Sequence, residues 1–145
     1  LRPMVTYVLL SPGFRKLKVQ KSPRGENRNR LIWLRDGYEV QVEKFLGFEW
    51  RCWITEEDGA PLFHVECQGE QWSAKYPTTV WHRALDHKGL RQKDSNRRSG
   101  IGMFGFNDPL IEPQVMYVPD DKEDDAAREA ADGAAGKATE EDAVA

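Results

Sequence analysis

The sequence predicts an α+β domain: an antiparallel β-sheet with one or two short helices packed on it, followed by a disordered acidic tail. Three observations predict it. From Leu31 to Cys67, apolar and polar residues alternate in short runs broken by Gly-containing turns, the pattern of half-buried antiparallel strands. From Pro77 to Lys88, Val80, Trp81, Ala84 and Leu85 repeat at helical spacing and share one face. From Asp120 onward the chain is rich in Ala and acid, with no apolar face beyond Ala. Such a segment buries too little to offset the entropy of folding.

Each element follows in order. Met4–Leu10 reads as a strand by its β-branched and aromatic content, Ser11-Pro12-Gly13 as a turn, and Phe14–Gln20 as a second strand. Residues 1–30 are thus expected to be a basic N-terminal extension with a β-hairpin that extends the sheet. Lys21–Arg30 is polar, basic and loop-like. The domain proper is expected over residues 31–118. Leu31–Leu34 is a short apolar run turned by Asp36-Gly37, and Tyr38, Val40 and Val42 then alternate with Glu39, Gln41 and Glu43. Phe45–Phe48 reads as a bend or bulge. Arg51–Thr55 and Leu62–Cys67 form a hairpin across the Glu56–Ala60 turn, with a loop of several residues.

The helix over Pro77–Lys88 begins with Pro at its first position, where a missing N–H is no loss. Gly89 suits a left-handed C-terminal residue, and Leu90 its apolar contact. Met103, Phe104 and Phe106 are interleaved with Gly100, Gly102 and Gly105, which suggests backbone held close against a core. Val115–Val118 reads as a last edge strand. Residues 119–145 form the tail.

Composition excludes several classes. The 145 residues carry a formal charge of −3, unevenly spread. Ten acids against three bases from Asp120 to Ala145 give −7, which leaves +4 on residues 1–119. Two cysteines, Cys52 and Cys67, make no disulfide framework and no CxxC pair. No apolar run approaches the ~20 residues of a membrane span, and no signal peptide is visible. A soluble protein of a reducing compartment is expected. Because it opens on Leu1 rather than Met, the chain is also expected to be cut from a longer one.

The segments Ser73–Leu85 (S-A-K-Y-P-T-T-V-W-H-R-A-L) and Arg98–Ile111 (R-S-G-I-G-M-F-G-F-N-D-P-L-I) resemble the C-terminal half of an FY-rich (FYR) domain. That half typically reads S-S-P-T-x-x-W-x-x-(V/I)-L, a basic stretch, then S-G-x-x-x-F-G-(F/L)-x-x-P. Leu31–Val40 (L-I-W-L-R-D-G-Y-E-V) and Pro61–Val65 (P-L-F-H-V) are similar to a thinner version of the N-terminal half. Tyr76 stands where the family often has a capping Ser, so the helix loses its side-chain cap. Leu34-Arg35-Asp36 replaces the usual Pro-containing approach to Gly37-Tyr38. The resemblance spans roughly residues 31–111. It implies a non-catalytic, nuclear protein–protein interaction module of a chromatin-modifying or transcription-regulating complex, with no cofactor. Trp81, Leu85, Phe104 and Phe106 are expected in one core with Phe63, Val65 and either Trp50 or Trp53. Tyr38, Trp53 and Trp72 are the candidate exposed aromatics of a docking surface.

Other chemistries fit less well. Gly100-x-Gly102-x-x-Gly105 has the letters of a dinucleotide fingerprint, but neither a buried strand before it nor a helix start after it. Packing is the better reading. Cys52, Cys67, His64 and His82 are too scattered for zinc, and His64 and Cys67 fall on opposite faces of a strand. No recognisable nucleophile accompanies His64, His82 or His87. The alternative that stands is a nucleic-acid-binding module. It would use Arg24, Arg28 and Arg30 in loop 21–30, and Arg91, Lys93, Arg97 and Arg98 in loop 91–98.

Overall fold

The computed structural model describes residues 5–21, 31–91 and 100–117. It is an open, five-stranded antiparallel sheet with a few short helices, the α+β class expected. The strands β1 (Thr6–Lys21), β2 (Leu31–Phe45), β3 (Phe48–Glu57), β4 (Ala60–Cys67) and β5 (Glu70–Ala74) lie side by side in chain order. Residues 119–145 lie outside the described residues.

Tight turns set this order. Leu46-Gly47, Asp58-Gly59 and Gln68-Gly69 each have positive φ at both residues, the mark of a type I′ hairpin turn, with Gly second. The β3–β4 loop is therefore two residues long rather than several, closing between Glu57 and Ala60. Phe45–Phe48 is a hairpin turn rather than a simple bend, with a register shift after Val42. The same Gln-Gly chemistry produces β5, which the sequence reading passed over.

Two N-terminal expectations are corrected. Ser11-Pro12-Gly13 does not turn the chain, and Thr6–Lys21 is one strand paired along β2. Register shifts at Leu9/Ser11, Pro12/Arg15 and Lys16/Lys18 absorb the irregular residues as bulges. Asp36-Gly37 likewise sits inside β2, because Gly13 and Gly37 both take positive φ and let the two strands bulge together. The edge strand expected over 115–118 is corrected in its described part, and Val118 lies outside the described residues. Val115 ends a short helix, and Met116 makes a single antiparallel bridge to Ile32.

Helix α1 (Pro77–His87) begins as its sequence requires, with Pro in the first turn and Tyr76 extended, offering no side-chain cap. It ends on left-handed Gly89, with Gly89 N–H donating to Asp86 O and Leu90 N–H to Leu85 O at 2.8 Å. This is the Schellman pattern, and Leu90 packs back onto the core. The short helices α2 (Gly100–Met103) and α3 (Glu112–Val115) follow.

One apolar cluster fills the space between sheet and helices. It holds Trp81, Leu85, Phe63, Val65, Phe104 and Phe106 together, and the sheet tryptophan within it is Trp50. Trp81 lies 5.1 Å from Trp50 and edge-on to Phe45 at 5.6 Å. Phe104 meets Phe63 edge-on at 5.3 Å. The glycines beside these rings act as close-approach positions. A Cβ on Gly100 would stand 2.1 Å from the Thr78 backbone nitrogen, at the first turn of α1. Gly100 N–H instead donates to Thr78 Oγ1 at 3.0 Å.

Candidate docking face

The sheet has two unlike faces because its strands alternate strictly over β3 and β4. Trp50, Cys52, Ile54, Phe63, Val65 and Cys67 point inward and are buried. Arg51, Trp53, Thr55, Leu62, His64 and Glu66 point the other way and stay partly or largely exposed. The buried residues of α1 belong to the inward cluster, so the helix closes that face and not the other.

The hairpin registers then build two rows on the outward face. One runs Glu39, Trp53, His64, Ser73 and the other Gln41, Arg51, Glu66, Gln71. Trp53 lies flat on the His64 ring, centroids 5.1 Å apart and planes 7° from parallel. The Arg51 guanidinium covers Trp53 at 4.6 Å. Arg51 is itself held by Glu39 at 3.3 Å and Glu66 at 3.1 Å. Val8, opposite Gln41 on β1, adds exposed apolar surface beside these rows. The arrangement is a half-exposed indole, held by a ring stack and a guanidinium, inside a rim of charged groups.

His64 is fixed by hydroxyls at both nitrogens, Thr55 Oγ1 at Nε2 and Ser73 Oγ at Nδ1, each 2.7 Å away. Burial lowers its pKa below the ordinary 6.5, against a smaller upward pull from Glu57. The imidazole is therefore neutral at pH 7, one nitrogen donating to a hydroxyl and the other accepting. Because the folded pKa is the lower one, the unfolded chain takes up the proton first as pH falls. The contribution of neutral His64 to stability is full above about pH 6.5 and declines as pH drops toward the folded midpoint. An NMR titration of the His64 ring should give a midpoint below 6.5. A midpoint at or above that value would show that the ring is not desolvated under Trp53.

The three aromatics expected at the surface do not form one patch. Tyr38 is wholly buried, a correction to its assignment as an exposed residue. It shares the inward face of β2 with Val40 and Val42, stacks on Phe106 at 4.4 Å, and donates its hydroxyl to Phe104 O at 2.6 Å. Trp72 is half-buried on the helix side, because it pairs with inward-facing Val65. Its indole N–H donates to His87 Nδ1 at 3.2 Å. Of the three, Trp53 alone stands on the open face.

Of the seven candidate nucleic-acid contacts, Arg91 is exposed and reaches Asp86 at 3.3 Å. Arg24, Arg28, Arg30, Lys93, Arg97 and Arg98 lie outside the described residues. Cys52 and Cys67 are buried free thiols. Burial pushes both thiols up, Cys52 strongly, so neither is a thiolate at neutral pH. His64 and Cys67 do project from opposite faces of β4. Among the described residues no group of three His, Cys, Asp or Glu is placed to hold a metal.

The sequence reading missed Arg51, Thr55, His64 and Ser73 as a set. A signal for them existed. Asp58-Gly59 and Gln68-Gly69, read as two-residue turns, would have set Trp53 opposite His64 and His64 opposite Ser73. No family model matches this chain, and neither a curated protein nor a solved structure does.

Proposed function

We propose that this chain is a non-catalytic protein–protein interaction module of a nuclear chromatin-modifying or transcription-regulating complex, and that it docks through the outward face of its sheet. The observation that carries the reading is Trp53, stacked on His64 and covered by Arg51 on the face that α1 leaves open. A rigid, half-exposed indole in a polar rim is the usual anchor of a binding hot spot. Glu39 and Glu66 on either side favour a partner that brings an apolar side chain flanked by a cation. The class of complex rests on the FYR resemblance. What supports that resemblance is the shared interior of the tryptophan helix and the Gly–Phe segment, with Trp81 and Phe104 in one cluster.

The test is affinity capture from nuclear extract, with the captured proteins identified by mass spectrometry. It is run at about 0.15 M and about 0.5 M salt with wild type and Trp53→Ala. Chromatin or transcription-complex proteins should be retained by the wild type at both salts. Loss of a hot-spot indole, worth about 2 kcal/mol or more, should reduce their recovery by more than about tenfold. Undiminished capture by Trp53→Ala would overturn the docking face. Capture of nucleic acid that vanishes at the higher salt would favour the basic-loop alternative instead.

A further inference from the structure

The outward face of the sheet is acidic as well as open. Alternation along β3, β4 and the Glu39–Glu43 part of β2 turns five carboxylates to this side: Glu39, Glu43, Glu49, Glu57 and Glu66. Arg51 is the one cation that these described segments turn with them. Its guanidinium is shared between Glu39 and Glu66. Glu43, Glu49 and Glu57 have no ion-pair partner among the described residues. Glu57 also pulls the titration of His64 upward, as a carboxylate on the same side of the sheet should.

Strand geometry adds a spacing to this sign. Glu49 and Glu57 lie four residues to either side of Trp53 on β3, each about 13 Å away. Arg51 lies two residues away, on the Glu49 side. Consider an extended chain laid along β3 with an apolar residue on Trp53. A cation four positions away on either side meets an unpaired carboxylate. A cation two positions away on the Glu49 side meets the Arg51 guanidinium instead. Nine extended residues span the row of about 26 Å, where a helix would need about 17. The same acids disfavour pairing of this face with its copy on a second molecule.

We infer that the partner of this face is a basic, extended peptide segment that sets an apolar side chain on Trp53 and a Lys or Arg four positions to each side, against Glu49 and Glu57. The inference rests on the outward face being the docking surface and specifies what docks there. The occupant is identified by charge complementarity. Its cationic ends are held by exposed carboxylates and weaken with salt, while the contact with the indole persists.

The full chain is titrated with the synthetic peptide K-S-T-S-L-S-T-S-K at about 20 mM salt, and the amide resonances of β3 and β4 are followed by NMR. Two more peptides are compared: T-S-K-S-L-S-K-S-T, with the same composition and the lysines moved inward, and E-S-T-S-L-S-T-S-E. The wild type should bind the first about threefold more tightly than the second and about tenfold more tightly than the third. The double variant Glu49→Gln, Glu57→Gln should bind the first about fivefold more weakly than the wild type does and no longer separate it from the second. Equal wild-type affinity for the lysine and glutamate peptides would overturn the inference, as would a double variant that binds like the wild type. Resonances of this face that shift with protein concentration in the absence of peptide would assign it to a second copy and overturn the inference too. These failures leave the docking face standing as long as Trp53→Ala loses its captured proteins. Undiminished capture by Trp53→Ala removes the face, and this inference with it.

Discussion

Trp81→Ala is expected to lower stability by about 3–5 kcal/mol, read from chemical or thermal unfolding. The indole is 2% exposed and lies against Trp50 and Phe45, so truncation opens a cavity between helix and sheet. One feature places the loss toward the low end of that range. The Trp81 indole N–H is buried without a hydrogen-bond partner among the described residues, and removing it relieves an unmet desolvation penalty. For the same reason Trp81→Phe should cost clearly less than Trp81→Ala, because it keeps a ring and discards the orphan donor. If Trp81→Ala cost under about 1 kcal/mol, the helix would not be docked through this residue.

Gly100→Ala is expected to destabilise by about 2–3 kcal/mol although it adds a single methyl group. That Cβ would fall 2.1 Å from Thr78 N and 2.5 Å from both Pro77 C and Thr78 Cα. All three are backbone atoms at the start of α1, and none can rotate aside. To relieve the clash α2 must move off α1, which stretches the bond from Gly100 N–H to Thr78 Oγ1. Denaturant unfolding of Gly100→Ala checks this, and a variant as stable as wild type would contradict the close approach. The first glycine of the fingerprint-like run is thus occupied with packing two helices.

The sequence made some of this legible and hid the rest for identifiable reasons. The helix was readable to within a residue because Pro77, the Val80–Leu85 face and Gly89 all agree. The alternation in β3 and β4 was equally plain, and it placed Phe63 and Val65 on one side. What alternation cannot say is which side a helix will cover. Trp50 and Trp53 were therefore interchangeable until α1 closed over Trp50. Tyr38 misled because sequence does not separate an exposed docking aromatic from a core one. Its partner, the Phe104 carbonyl, lies 66 residues away, and no local pattern announces such a bond. The N-terminal strand misled through Pro12-Gly13, since turn chemistry and a bulge look alike when the partner strand is unknown. The Trp53–His64 stack was within reach, but only through the assumption that each X-Gly pair makes a two-residue turn.

The division of the sheet into a sealed face and an open one is tested most directly by unfolding Trp53→Ala beside Trp81→Ala in the same buffer. Trp53 gives up a stack on His64 and a contact with Arg51, and no core volume, so its loss should amount to about 1 kcal/mol or less. Trp81→Ala should lose several times as much. Equal losses, or a larger one for Trp53→Ala, would mean that the outward face is buried too and has no surface left with which to bind.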